Sequence, residues 1–147
     1  MGEDSASIIR KLFDAFNSKD LDAIQAMATD DFELIDVAGG EKFHGREGAR
    51  KNAEGWFTAF PDVEIELLNV IASGDWAFTE AVGRGTHSGT MHTPMGEVSP
   101  TGKHIEVHFC TVIKARDGKI SESRDYYDAM TFATQLGLMP EPAASTA

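Results

Sequence analysis

A chain of 147 residues has the size of one domain that can bury a core, and thirteen basic against twenty-four acidic side chains give it a formal charge of −11. That acidity repels phosphate backbones and anionic lipid, so no nucleic-acid partner and no membrane surface are expected. The single cysteine, Cys110, excludes an internal disulfide and a cysteine-rich zinc site; no apolar run approaches a membrane span, and the first residues lack the basic and apolar regions of a signal peptide.

The expected location is therefore the cytoplasm, with one domain over residues 1–139 and a disordered tail over 140–147. In chain order, Ile8, Ile9, Leu12, Phe13 and Phe16 fall at the spacing of one helical face, with Ser5 or Ser7 available as the N-cap. Asp20 can cap a second short helix carrying Leu21, Ile24 and Met27, which Asp30 and Asp31 would end. Residues 32–37 then read as a strand, Gly39 and Gly40 as a turn, and residues 42–44 as a short segment. From Gly45 a third helix shows Ala49, Ala53, Trp56, Phe57 and Phe60 at helical spacing and stops at Pro61.

After Pro61 the period changes to two. Residues 63–71 alternate, with Glu64 and Glu66 facing solvent, and residues 76–86 form the next strand, where Gly83 and Gly85 predict a bend or bulge. Residues 88–103, rich in glycine and proline, read as a rim or lid loop. Residues 105–128 carry two β-branched and aromatic runs flanking Asp117 and Gly118, the pattern of a long β-hairpin. A two-residue turn puts Cys110 opposite Asp125 and His108 opposite Tyr127; a one-residue bulge puts Thr111 opposite Asp125 and Phe109 opposite Tyr127. A last short helix runs from Ala129 to Leu136 and ends at Gly137. The whole predicts an α+β layout: helices on one face of a mostly antiparallel sheet, with a cavity between them if the long strands curve.

Asp125 stands mid-strand among residues that pack a sheet face, where a carboxylate is costly unless solvated, paired or used. In an apolar pocket it would be a general base or acid; alternatively it is an edge acid paired with Arg124 or Lys114. Asp128 reads as a helix cap. His87 could be an acid–base partner or substrate donor at a strand end, although a loop histidine in solvent is the commoner outcome. His104 and His108 lie four apart on a strand, roughly 13 Å, too far to share one ion, so no metal is expected. His108 reads as a structural histidine that reaches Asp125 only in the unbulged register. Cys110 reads as a buried, inert thiol. Tyr126 and Tyr127 could each donate to an oxyanion, but alternation points one of them away from any pocket. Trp56 and Phe60 belong to the core, with a share left to line a ligand site.

Several segments together resemble the SnoaL-like polyketide cyclases of the nuclear transport factor 2-like superfamily. They are Phe13-Asp14-Ala15-Phe16-Asn17, the Trp56 to Phe60 helix with Pro61-Asp62, Gly85-x-His87-x-Gly89, Asp117-Gly118-Lys119-Ile120, Ser123 to Asp128 and Gln135-Leu136-Gly137. The resemblance covers nearly the whole chain. It implies a cone, a curved sheet wrapped around the amino-terminal helices with an internal cavity. It also implies cofactor-free acid/base chemistry, an intramolecular aldol cyclisation or an isomerisation of an apolar, carbonyl-bearing small molecule, with Asp125 as the general acid/base and His87 as a secondary candidate. Three polar residues that accompany this aspartate in the family are replaced by Leu34, Phe109 and Thr111, which implies a drier pocket. With Trp56, Phe60 and Tyr127, these complete the expected substrate-binding set. The same cone also hosts ligand-binding proteins and water-activating hydrolases, and both stand as alternatives. Family resemblance and the apolar outer face of residues 63–71 imply a homodimer.

Overall fold

Amphipathic spacing sets the first helix in the computed structural model, which describes residues 4–140. Helix α1 (Ser5–Asn17) buries Ile8, Ile9 and Phe13. Its N-cap is Asp4, not a serine: the Asp4 carboxylate accepts the Ser7 N–H at 2.7 Å. Ser5 lies inside the helix, and its hydroxyl instead donates to the Gly74 and Trp76 carbonyls of a distant turn. Asp20 caps α2 (Leu21–Ala26) as expected, accepting from Ala23 N–H.

That helix ends earlier than its sequence suggests. Strand β1 (Ala28–Asp36) already includes Thr29, Asp30 and Asp31, because it pairs in parallel with the last strand and the Ile120 N–H reaches back to the Met27 carbonyl. Tertiary pairing overrides a polar stretch of low strand propensity. Strand β2 (Glu41–His44) folds back on β1, and α3 (Gly45–Ala59) follows.

Strands β3 (Glu64–Ser73) and β4 (Trp76–Thr86) form the next antiparallel pair. Its irregularity falls at Leu68, not at the glycines: Leu67 pairs Ala81 and Asn69 pairs Glu80, so Leu68 is extra and the inward face passes from Ile65 and Leu67 to Val70. Gly83 and Gly85 sit in an unbroken pairing with β7 (His104–Arg116). They serve close approach instead, since a Cβ on Gly85 would stand 3.2 Å from Phe60 Cβ. Within residues 88–103, strands β5 (Met91–Thr93) and β6 (Gly96–Val98) make a small separate hairpin.

Asp117 and Gly118 both take positive φ, +54° and +76°, the conformation of the tight turn that joins β7 to β8 (Lys119–Tyr127). A bulge at Ser121 selects the shifted register, placing Thr111 opposite Asp125 and Phe109 opposite Tyr127. Helix α4 (Ala129–Gln135) is capped by Asp128, which accepts the Met130 and Thr131 N–H groups. It closes on Gly137, with Gly137 N–H bonded to Thr134 O and Leu138 N–H to Ala133 O. Of the tail expected over residues 140–147, residues 141–147 lie outside the described residues.

The six-stranded curved sheet runs β2-β1-β8-β7-β4-β3, antiparallel throughout except at β1 and β8, and it is not closed. One core cluster joins α1 to the sheet around Ile9, Ile113 and Ile120; a second gathers Ala59, Phe60, Ile105 and Leu136 at the other end. Cys110, expected inside, is exposed on the outer face. Among the described residues no helix is long and apolar enough to cross a membrane.

Gly89 joins the loop to α3 at van der Waals limits. Its N–H donates to the Ala59 carbonyl, and a Cβ there would lie 1.8 Å from the Thr58 carbonyl oxygen. Gly89→Ala should therefore lower unfolding free energy by about 2 kcal/mol or more, read from the urea midpoint; a change below about 0.5 kcal/mol would show that this contact yields freely.

Candidate active site

The inward faces of α1, α2, α3 and the sheet enclose a cavity of about 140 Å³. Small side chains on α3, Ala49 and Ala53, leave that space, while Phe13, Phe32 and Ile65 wall it with hydrocarbon. Leu34, Trp56, Phe109, Thr111, Asp125 and Tyr127 all line it. Phe60 does not: it is fully buried in the second core cluster, stacked near the His87 ring.

His87 also lies apart from the cavity lining. It is fully buried and pins the loop, with His87 N–H donating to Lys103 O and Gly102 N–H donating to His87 O. Its Nδ1 accepts the Thr101 N–H, which puts the proton of the neutral ring on Nε2, where it finds no protein partner among the described residues. Burial lowers the His87 pKa, outweighing the Gly89 backbone, which favours the charged ring. A neutral, enclosed imidazole between Phe60 and the loop is a structural pin, and the solvent-exposed loop histidine expected from sequence is equally absent. His104 and His108 are exposed and no group of three metal-ligating side chains exists among the described residues.

The central feature is a polar row crossing the apolar sheet. Strand register aligns Glu41, Asp36, Asp125, Thr111 and Thr79 on five successive strands. Asp125 Oδ1 accepts the Thr111 hydroxyl at 2.7 Å. Burial pushes the Asp125 pKa up to about 6; the Thr111 bond opposes this and the neighbouring Asp36 charge adds to it. Asp125 makes no ion pair among the described residues. Arg124 and Lys114 lie over the Trp76 ring and pair with Glu122.

Asp36 is the acid that sequence reasoning missed. Its Oδ2 accepts the Tyr127 hydroxyl at 3.0 Å and its Oδ1 accepts the Gly39 N–H at 2.8 Å, so a turn amide and a phenol together hold a nearly buried carboxylate beside Asp125. The signal was parity, since Phe32, Leu34 and Asp36 alternate on the inward face of β1. Burial and then the Asp36 charge raise the Tyr127 pKa, keeping the phenol protonated. Its proton is committed to Asp36, so Tyr127 is not a free oxyanion donor in this arrangement. Tyr126, by alternation, is exposed. Glu41 is also raised, by burial and then by Asp36.

A protonatable carboxyl with a pKa near neutrality, in a hydrocarbon cavity, can take and return a proton. Comparison with known proteins places this geometry. The family model for SnoaL-like polyketide cyclases matches residues 6–136. A search of curated proteins finds no match. A SnoaL-like polyketide cyclase candidate from Jannaschia sp. CCS1 superposes with a TM-score of 0.80 at 24% identity, covering 92% of this chain and 93% of its own. IdmH, a candidate polyketide cyclase from Streptomyces antibioticus, is 31% identical with a TM-score of 0.73, covering 92% and 99%. A LEH-like epoxide hydrolase from M. tuberculosis, 18% identical with a TM-score of 0.69 over 90% and 88%, shares the fold. Matched by the family model along nearly its full length, the chain belongs to the SnoaL-like polyketide cyclase family.

Proposed function

We propose that the chain is a cofactor-free acid/base enzyme that cyclises or isomerises an apolar, carbonyl-bearing small molecule, with Asp125 as the proton carrier. The observation that carries this reading is a carboxyl in an apolar cavity, held by Thr111 and raised to a pKa of about 6. Near neutral pH such a group is mostly a carboxylate and still basic enough to remove a proton α to a carbonyl. Its conjugate acid can then protonate the product oxygen or carbon. Thr111 orients the carboxylate; Asp36, through its charge and its hold on Tyr127, is a positioning residue.

The test is proton exchange. In D2O, the protein should exchange the α-hydrogens of a panel of cyclic and aryl ketones above the buffer rate, and Asp125→Asn should cut that exchange by about 10²-fold or more. Equal rates in the variant would favour a ligand-binding cone without catalysis.

Stability supplies a second reading of the same carboxyl. Its folded pKa of about 6 exceeds the unfolded value of 3.8, so between those values the folded state holds more protons and stability falls as pH rises. Below pH 4 both states are protonated and the group costs nothing. Asp125→Asn should thus be stabilised at pH 7 by about 2–3 kcal/mol relative to wild type, with no difference near pH 3.5. A destabilised variant at pH 7 would mean the carboxylate is favourably solvated.

Removing the neighbouring charge should move the same titration. In Asp36→Asn, the acidic limb of the exchange rate shifts to lower pH, because Asp125 no longer ionises beside a second carboxylate. An unshifted limb would disconnect Asp36 from the proton carrier.

The proposal extends to a homodimer. Ile71 and Phe78, paired across β3 and β4, are 62% and 42% exposed on the outer face, and Tyr126 adds a third exposed apolar surface on β8. A sedimentation mass of two chains at micromolar concentration is expected; a single-chain mass would refute it.

A further inference from the structure

Beside the Trp56 indole, the cavity holds five side chains with polar heads: Asn52, Thr111, Ser123, Asp125 and Tyr127. Three are committed to each other or to Asp36, as Thr111 donates to Asp125 and Tyr127 donates to Asp36. Ser123 and Asn52 are not. Ser123 is 4% exposed, lies on the cavity wall, and its hydroxyl makes no hydrogen bond to protein among the described residues. Asn52, half-buried, faces the same space from α3 between Ala49 and Ala53, with its amide equally unengaged among the described residues. A hydroxyl and an amide that face the cavity without a protein partner are free to donate to a bound oxygen.

We propose that Ser123 and Asn52 form the receptor for the substrate's carbonyl oxygen. This rests on the acid/base reading of Asp125 and deepens it by assigning the oxyanion donors. Ser123 and Asp125 are two apart on β8 and share its inward face, a Cα spacing of about 6.5 Å. That span suits a carbonyl oxygen hydrogen-bonded at one end and its α-hydrogen facing a carboxylate at the other. In the step, the Asp125 carboxylate takes the α-proton, the C–H electron pair becomes the C=C bond of an enolate, and the carbonyl π pair moves onto oxygen. The Ser123 O–H and Asn52 N–H meet that charge. Return of the proton to a different carbon of a conjugated enolate completes an isomerisation; attack of the enolate carbon on a second carbonyl forms the C–C bond of a cyclisation, and Asp125 returns the proton to the new alkoxide.

The size of the space narrows the class. A cavity near 150 Å³ accommodates a benzene-sized guest, so the part of the substrate seated here is about one ring with a single carbonyl acceptor. Leu34 and Phe109 leave little for a second polar substituent to bond on those walls.

The probe is cyclohexanone labelled with ¹³C at the carbonyl, titrated into the wild-type protein, Ser123→Ala, Asn52→Ala and Asp125→Asn by NMR, each variant first checked for a native melting transition. The bound carbonyl should move downfield in the wild type and in Asp125→Asn. The shift should shrink in Ser123→Ala and in Asn52→Ala, with affinity about five- to tenfold weaker in each. Ser123→Ala removes one atom from a packed wall, so it keeps the test valid if Asn52→Ala disturbs α3. An unchanged shift in Ser123→Ala, or no saturable binding to the wild type, overturns the proposal. Loss of proton exchange in Asp125→Asn with the carbonyl shift retained leaves both assignments standing. Exchange unaffected by Asp125→Asn while the shift depends on Ser123 would remove the base and keep the receptor.

Discussion

The parallel contact between β1 and β8 is the constraint on which the site depends. It brings Asp36 and Asp125, eighty-nine positions apart in sequence, into one register pair inside an otherwise hydrocarbon sheet face. Two carboxylates side by side in low dielectric resist double ionisation, so the fold must compensate one of them. It compensates Asp36, with a turn N–H and a phenol, and leaves Asp125 a single hydroxyl. That asymmetry makes Asp125 the group whose proton is mobile.

The remaining architecture packs around this row. Ile9, Ile113 and Ile120 anchor α1 against the sheet on one side of the cavity. At the far end, Phe60, His87 and Leu136 form a separate packed block tied to the loop through Lys103 and Thr101. The cavity survives between two dense regions because α3 presents alanines there and Gly83 lies against the Phe109 ring, where a Cβ would be 3.5 Å away. Space is thus made by small residues at positions where larger ones would close it.

Much of this was legible in the chain. The Asp117-Gly118 turn and the helical spacing of α1 and α3 are local signals that became the elements they indicated, and the mid-strand anomaly of Asp125 marks a carboxyl on the cavity wall. What failed was long-range. The strand character of residues 28–31 comes from pairing with β8, and no local propensity announces it. The bulge at Ser121 decides whether Thr111 or Cys110 faces Asp125, and a hairpin sequence allows either. His87 looked like a site residue because it stands at a strand end beside glycines. The same glycines let the loop pack against Thr58 and bury the ring. Asp36 looked like the end of a strand before Gly39; parity turns it inward, and only the parallel partner sets it beside another acid.

The hydrocarbon that Leu34 and Phe109 present to the cavity has an electrostatic consequence that Thr111 must offset. Hydrocarbon walls disfavour the charged form of Asp125, and a substrate that expels water from the cavity disfavours it further. Without an opposing group, the carboxyl would hold its proton more strongly and be a poorer source of the carboxylate. The Thr111 hydroxyl favours the carboxylate, and Thr111 is itself fixed by Thr79, whose hydroxyl oxygen accepts the Thr111 N–H at 3.3 Å. The chain of three groups, Thr79, Thr111 and Asp125, runs across three adjacent strands. A rigid sheet can hold an oriented hydroxyl on a carboxylate where a loop would let it rotate to water, and so a dry pocket can retain a usable base.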